Sequence, residues 1–228
     1  MTRRGTICLT PGGPYRTEES PDTCPEDAMS LREMTASPTT TIDEIAAWLD
    51  GLSHDERIAQ MYSMGRSDQR ALWAKCADSP AITREHFVPA GTADQTEVIH
   101  HGINTLPVFR KFQKRFCSTA ADGEIGGYNE GILRPIIGPG YYVLHETAGN
   151  PDWEARGTLV VDYFMIPDGA VVDGWPRVKP NSSGLQVLIY NKTRDFMRRV
   201  SAHVSIGEAF KVEKPLNSWF MLCREDRG

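Results

Sequence analysis

The sequence predicts an α+β fold: an antiparallel β-barrel, or a strongly curved sheet, with a helical cap at its N-terminal side. Two observations lead to this prediction. Short capped amphipathic segments occupy residues 41–78, and apolar, aromatic-rich runs joined by short polar links follow them. Sequential strands with short links favour an antiparallel meander, and such a sheet tends to close or fold over on itself. We therefore expect residues 79–228 to form the barrel domain.

Size and charge narrow the class of protein. The chain has 228 residues, enough for one domain with a full core. Its net charge of -5 argues against a nucleic-acid binder, which would need a basic surface. We expect no membrane-spanning segment, since no apolar run is long enough, and no secretory signal, since the first residues lack a sustained apolar stretch. These features predict a cytoplasmic protein.

Cysteine spacing bears on metals and disulfides. The five cysteines are widely spaced, odd in number and include no C-x-x-C pair. A disulfide framework or a structural zinc site is therefore not expected. No phosphate-binding loop or G-x-S-x-G motif occurs in the sequence either. We predict no metal and no cofactor.

The first 78 residues divide into two parts. Residues 1–40 are rich in Pro, Ser, Thr, Gly and acidic residues and lack apolar periodicity, which predicts a flexible leader. Residues 41–78 contain three helix signals: capping boxes at Thr41 with Glu44 and at Ser53 with Glu56, and a candidate cap at Ser67. Their apolar positions share one face, so we expect a helical cap that packs on another element.

Residues 82–140 give a mixed pattern. Two short β-leaning runs, 82–91 and 96–103, come first. The basic and aromatic run 106–117 fits either a helix with Pro107 at its first position or a strand. A glycine-rich segment, 123–140, then leads to the next strand and predicts a tight loop.

Residues 140–166 predict the central element, a long β-hairpin whose two arms flank a polar turn. The second arm is apolar except for Asp162 and the hydroxyl group of Tyr163. A buried ionised carboxylate without a partner is costly, so Asp162 is expected to be ion-paired, hydrogen-bonded, raised in pKa or facing a wet cavity. His145 is a similar polar position on the first arm.

The C-terminal region predicts the remaining strands. We expect strands at 185–190, 203–212 and 219–226, a short helical turn at 192–200, and a turn at 213–218. The last forty residues or so resemble an uncharacterised lipocalin-like family of bacterial and fungal proteins. The positions that carry the resemblance are Tyr190, Asp195, Arg198, Arg199, Val200, Gly207 and Phe220. The resemblance implies a lipocalin-like barrel that can hold a ligand, and it implies no particular reaction.

Candidate ligand contacts cluster around the hairpin. Tyr142, Tyr163 and Tyr190 could line a barrel cavity together with Asp162 and His145, and alternation along a strand lets only one of Asp162 and Tyr163 face that cavity. Tyr128 and Asn129 in the glycine-rich loop could close its mouth. If Asp162 is desolvated, it could act as a general acid or base, with His145 as the second catalytic candidate. The alternative for Asp162 is an ion pair with an arginine.

A second candidate region contains His101 and Arg110. Adjacent histidines on a strand face opposite sides, so a metal site there would need ligands from elsewhere. The basic residues of the run could instead hold an acidic ligand or form a solvated face.

Two functions follow from these patterns. The first is binding of a small, largely apolar or polycyclic molecule, with cofactor-free acid/base isomerisation or cyclisation in natural-product biosynthesis as the enzymatic version. The alternative is a non-enzymatic module that binds a protein or nucleic acid through the basic and aromatic run. The sequence leaves the substrate, the oligomeric state and the presence of an activity open.

Overall fold

Eight antiparallel strands close into a barrel in simple up-and-down order, with each strand hydrogen-bonded to its neighbours in sequence and β1 to β8. The structure is a computed structural model that describes residues 29–226. The strands are β1 (Val98–Asn104), β2 (Lys111–Ser118), β3 (Ile125–Glu130), β4 (Tyr142–Glu146), β5 (Leu159–Asp162), β6 (Thr193–Arg199), β7 (Val204–Lys211) and β8 (Lys214–Arg224). The predicted α+β antiparallel barrel with helices at its N-terminal side is confirmed.

The described part of the chain begins with four helices, α1 (Leu31–Ala36), α2 (Ile42–Gly51), α3 (His54–Ser63) and α4 (Arg66–Lys75), followed by a short 3-10 helix at Cys76–Asp78. Helices α3 and α4 pack on the outer wall of the barrel, and α1 packs on α3 and α4. Capping boxes begin the first three, because a Ser or Thr side chain accepts from the third backbone N–H while a Glu carboxylate accepts from the cap. Three shorter helices lie in connections: α5 (Arg84–Phe87), α6 (Arg134–Ile137) and α7 (Pro151–Glu154). No helix within residues 29–226 is long and apolar enough to cross a bilayer.

Apolar side chains on the two faces of the strands form two separate cores. One face of the barrel wall packs against the helices, through residues such as Val160, Phe196 and Met221. The other face fills part of the barrel interior, through residues such as Leu144 and Val161. Because successive side chains of a strand point to opposite faces, this division shows which residues point inward.

The two ends of the barrel differ. At one end, α5 and its flanking residues carry Ile82, Phe87 and Val88 into the interior core, so that this end is plugged. His100 lies beside the plug and its Nε2 is 3.0 Å from the carbonyl oxygen of Phe87. The other end is formed by the connections 105–110, 131–141, 163–192 and 212–213. We call this end the mouth.

Several local predictions are corrected. The leader prediction fails for residues 31–36, which form α1 because Ser30 and Glu33 make a capping box and Leu31 is fully buried. Residues 1–28 of the predicted leader lie outside the described residues. Helix α4 begins at Arg66, one residue before the predicted cap Ser67, since Asp68 accepts from the backbone N–H of Gly65.

The C-terminal elements also differ from the prediction. Residues 184–188 form a 3-10 helix rather than a strand, and residues 193–199, expected to be a helical turn, are strand β6. The expected turn at 213–218 lies mostly within β8, because the chain reverses in the two residues between Lys211 and Lys214. The run 106–117, whose pattern fits either a helix or a strand, contributes strand β2.

Candidate functional site

A cavity of about 430 Å³ opens at the mouth of the barrel. Most of its walls are apolar, and its polar lining includes a group of side chains at its inner end, where the interior core begins. The apolar lining residues include Leu106, Val108, Phe109, Phe112, Ile132, Leu133, Ile137, Ile189, Leu216, Trp219 and Phe220. The space is large enough for a small organic molecule, and its walls favour an apolar one.

Lys114 is the central polar residue of this inner end. It lies on β2 between Phe112 and Phe116, and the two-residue period of the strand turns all three toward the interior. Its side chain is 2% exposed. Such deep burial of an amino group requires partners for its three N–H donors.

Three oxygen atoms meet that requirement. The Nζ of Lys114 lies 3.0 Å from Oδ2 of Asp195 and donates to Oδ1 of Asn129 at 3.1 Å. It also donates to the hydroxyl oxygen of Tyr163. These partners come from β6, from β3 and from the residue that follows β5, so the closed barrel brings together residues that are distant in sequence.

Aromatic rings surround the same amino group. The Nζ of Lys114 lies 4.7 Å from the ring centroid of Tyr142, 4.8 Å from that of Tyr163 and 5.2 Å from that of Phe220. The faces of aromatic rings attract a cation, so these contacts favour the protonated amine. Burial acts in the opposite direction and lowers the pKa of Lys114, although Asp195 partly offsets the effect.

Asp195 is the acid of the site. Its Oδ2 contacts Lys114 and accepts from the hydroxyl group of Tyr163 at 3.2 Å. Its Oδ1 has no hydrogen-bond partner among the described residues. Burial raises the pKa of Asp195, while Lys114 and the hydrogen bond from Tyr163 lower it. The opposite pKa shifts of the two partners bring the ion pair closer to its neutral form, in which the proton lies on the carboxyl group.

Tyr163, Asn129 and Tyr190 complete the polar end of the cavity, and Asn129 lies on β3 rather than in the loop at the mouth that the sequence analysis expects. The amide nitrogen of Asn129 donates to the carbonyl oxygen of Gly140 at 3.0 Å and to the Tyr163 hydroxyl at 3.1 Å, which fixes its orientation. The rings of Tyr163 and Tyr190 stack with their centroids 5.3 Å apart. Burial raises the pKa of Tyr190 to about 12 and that of Tyr163 well above its usual value, so both are neutral hydrogen-bonding groups near neutral pH.

The prediction that Asp162 is the acid inside the cavity is wrong. Asp162 is 2% exposed but lies on the outer face of β5, as does Val160 in the helix-side core. Its Oδ2 lies 2.8 Å from Nε of Arg194 and 3.3 Å from Nε2 of His145, and its Oδ1 accepts from the backbone of Phe164 at 2.8 Å. The arginine ion pair considered as the alternative is the observed arrangement.

The predicted catalytic role of His145 is not supported, since this residue shares the outer position of Asp162. Burial tends to raise the pKa of Asp162, but hydrogen bonds from His145, Arg194 and Phe164 outweigh it and lower the pKa. The hydrogen bond to Asp162 raises the pKa of His145. The pair stabilises the outer wall and does not reach the cavity.

Four other predicted residues do not line the cavity. Tyr128 lies on the outer face of β3 and contacts Trp175, with ring centroids 4.9 Å apart. His101 faces outward, 3.8 Å from Glu225. Arg110 donates to the backbone carbonyls of Asn104 and Met64. Tyr142 does point inward, but it lies beneath Lys114 rather than at the cavity wall.

The sequence analysis places Lys114 only in the basic run and Asp195 only among the positions of the resemblance, and it places neither in the cavity, although the sequence contains a signal for each. Phe112, Lys114 and Phe116 are spaced by two residues, which predicts one interior face once β2 is accepted as a strand. Asp195 alternates with Thr193 and Met197 in the same way, but its segment was interpreted as a helical turn. Because a helical turn was expected at these residues, the alternation that places Asp195 in the barrel interior was not predicted.

The rim of the mouth is unusually apolar. Large apolar side chains that line the cavity around the mouth are about half exposed or more, from 46% for Ile189 and Leu216 to 74% for Ile132. The others on the cavity lining are Leu106, Val108 and Phe109. An apolar rim around an open cavity gives an apolar molecule a continuous path from the surface to the interior.

Taken together, the site offers an apolar space, an acid with a free oxygen, and hydrogen-bond donors from Lys114 and Tyr163. Within residues 29–226, no group of three His, Cys, Asp or Glu side chains is placed to hold a metal ion. Proton transfer and carbonyl polarisation are the chemistry that the residues themselves can supply. The chain matches no protein-family model, no curated protein and no solved structure.

Proposed function

We propose that this protein binds a small, largely apolar or polycyclic molecule in the barrel cavity and catalyses a cofactor-free isomerisation or cyclisation of it. The observation that carries the proposal is the combination of a cavity of about 430 Å³ with one buried polar group at its inner end. Apolar walls bind most of the ligand surface, and a few polar atoms orient it.

Asp195 is the proposed acid/base group. Its Oδ1 is left over after Lys114 and Tyr163 have engaged Oδ2, so a ligand can approach it without breaking the network. Burial raises the pKa of Asp195, which brings it nearer to the pH at which proton transfer is efficient. A carbonyl compound with a C–H bond on the carbon next to its carbonyl group is a suitable substrate. Asp195 can accept the proton from this carbon and return it to another carbon of the same molecule.

Lys114 and Tyr163 are the proposed polarising groups. Their N–H and O–H donors are engaged by Asn129 and Asp195, so a carbonyl oxygen that reaches the inner end of the cavity would replace one of these acceptors and accept the hydrogen bond itself. Negative charge that develops on this oxygen during proton removal would be stabilised in a site that excludes water. Asn129 is a positioning residue, since it contacts both Lys114 and Tyr163.

We also propose two broader assignments for the chain. The up-and-down order of eight strands around an internal cavity supports a lipocalin-like mode of ligand binding. A cytoplasmic location is supported by Cys76, Cys117 and Cys223, which are buried free thiols.

Binding can be tested with N-phenyl-1-naphthylamine, a neutral apolar fluorophore. We expect saturable binding with one site per chain. The variant Ala209→Trp, which places an indole in the cavity, should abolish it, whereas Ala74→Trp on the exposed face of α4 should not. Unsaturable binding, or equal binding by both variants, would exclude the cavity as the site.

Proton transfer can be tested with 2-tetralone, a bicyclic apolar ketone, by following deuterium exchange at its α carbons in D₂O. We expect the protein to accelerate exchange at least tenfold over buffer and Asp195→Asn to lose most of this acceleration. Asp162→Asn is the matched control, because it removes a buried carboxylate from the same strand pair on the outer face. Loss of exchange in Asp162→Asn with retention in Asp195→Asn would overturn the assignment.

The alternative function, an interaction module that uses the basic and aromatic run, is not favoured by the geometry. Lys114 is buried inside the barrel, Arg115 is paired with Glu97 at 2.7 Å, and Arg110 is bonded to backbone carbonyls. The run therefore does not present a continuous basic surface. Binding of a nucleic acid that weakens on replacing Lys111 would revive this alternative.

A further inference from the structure

We propose that Lys114 forms a reversible imine with an apolar aldehyde or ketone in the cavity, and that Asp195 transfers the protons of this step. The inference rests on the proposed binding function and specifies its substrate class as carbonyl compounds. It assigns a covalent role to a residue that is otherwise only a hydrogen-bond donor.

The position of the amino group supports this role. Lys114 lines the inner end of the cavity, where an apolar molecule that enters from the mouth would place its leading group. Lys179 is exposed and does not line the cavity. The two lysines thus provide a buried candidate and an exposed control.

The residues around Lys114 can convert its ammonium group to the neutral amine that attacks a carbonyl group. An ammonium group is not nucleophilic, so one proton must leave before attack. Oδ2 of Asp195 is 3.0 Å from Nζ and is positioned to take that proton. Desolvation lowers the pKa of Lys114 and raises that of Asp195, and both changes favour this transfer.

The step balances without any other reactant. The Nζ lone pair attacks the carbonyl carbon, a C–N bond forms, and the C=O π electrons move to the oxygen, which takes the proton held by Asp195. A second N–H proton then passes through Asp195 to the hydroxyl group of the carbinolamine, and water leaves as the C=N bond forms. The products are one imine and one water, and no oxidant or reductant is consumed.

An imine would also explain why acid and amine are adjacent. When protonated, the C=N group withdraws electrons from the neighbouring carbon and acidifies its C–H bond. The free Oδ1 of Asp195 is available to accept that proton. Return of the proton at another position would give the isomerisation proposed above. A purely structural ion pair would not require an unoccupied carboxylate oxygen at the cavity.

The experiment is reductive trapping. The protein is incubated with cinnamaldehyde and sodium cyanoborohydride, and adducts are located by peptide mass spectrometry. We expect Lys114 to be modified at least about tenfold faster than any exposed lysine, since the cavity holds the aldehyde next to its amino group. An excess of cinnamyl alcohol, which fits the cavity but has no carbonyl group, should slow trapping at Lys114 and leave surface lysines unaffected.

Two variants provide controls. Lys114→Met should lose the fast adduct, and Lys179→Met should keep it. If Lys114→Met does not fold, the location of the adduct in the unaltered protein still decides the question. Modification spread over exposed lysines with Lys114 unmodified, while N-phenyl-1-naphthylamine still binds, would overturn the imine and leave the binding function intact. Failure of that fluorophore to bind would refute the binding function instead.

Discussion

Asp162 and Asp195 lie on neighbouring strands one register position apart, yet they face opposite sides of the barrel wall. Asp162 pairs in register with Arg194, and Asp195 pairs with Val161. Because side chains alternate along a strand, this single step places Asp162 outside and Asp195 inside. One carboxylate therefore stabilises the wall and the other lines the cavity.

Replacement of the outer acid should affect stability rather than binding. In Asp162→Asn, the charge-assisted contacts to Arg194 and His145 are lost, and we expect unfolding to become easier by about 1–3 kcal/mol. For a chain of this size this corresponds to a fall in Tm of roughly 2–4 °C per kcal/mol, measured by calorimetry. Glu213→Gln is the control, because that carboxylate also pairs with Arg194 but is 44% exposed and should cost under about 1 kcal/mol. Weaker binding of the apolar fluorophore by Asp162→Asn at unchanged Tm would contradict this assignment.

The outer pair also predicts a pH dependence. The pKa of His145 is raised in the folded state, mainly by the hydrogen bond to Asp162. Protonated His145 therefore stabilises the fold fully below its unfolded pKa, and this contribution disappears as the pH rises through the higher folded pKa. The difference in unfolding free energy between the unaltered protein and His145→Gln should be larger at about pH 5.5 than at about pH 9. Urea denaturation at both pH values measures it, and an equal difference would show that the histidine is not coupled to Asp162.

Removal of one partner of the buried pair should be costly. Asp195→Leu leaves the Lys114 amino group without its counterion, and we expect a loss of about 3–5 kcal/mol. The double variant Lys114→Met with Asp195→Leu replaces both charges with apolar groups and should recover most of this loss. Chemical denaturation of the four proteins gives the coupling energy between the two sites. Additive losses would mean that the two side chains do not interact as the distance implies.

Close packing at Gly127 gives a prediction for the barrel wall. A Cβ at this position would lie 2.2 Å from the carbonyl oxygen of Arg115 and 2.6 Å from the ring of Tyr142, the ring beneath Lys114. Gly127→Ala should therefore destabilise the protein by at least about 2 kcal/mol, because one of the contacts is backbone. At Gly51, at the end of α2, a Cβ would meet nothing within 4 Å, and Gly51→Ala should be neutral or stabilising by up to about 1 kcal/mol. Thermal melting of both variants compares them, and equal melting would show that β3 can move away from β2.

Local patterns were sufficient for most of the fold. The capping boxes at Thr41 and Ser53 predicted the starts of α2 and α3, since a cap is satisfied within one turn of the helix. The same pattern at Ser30 begins α1, within the polar segment for which the composition predicts a flexible leader. The apolar runs predicted an antiparallel barrel, and Asn129, Tyr163 and Tyr190 do line its cavity.

The sequence by itself determined that strands would close around an interior and that a buried carboxylate would need partners. The tertiary structure alone decided which carboxylate faces the cavity. The direction of each side chain depends on which residues of its strand point inward, and strand pairing in the closed barrel sets this. The local sequence of β6 is compatible with a helical turn as well as with a strand. Its pairing with β5 and β7 sets its conformation and brings Asp195 to Lys114, 81 positions away in the chain but 3.0 Å away in space. Such contacts arise from barrel closure, which no short stretch of sequence encodes.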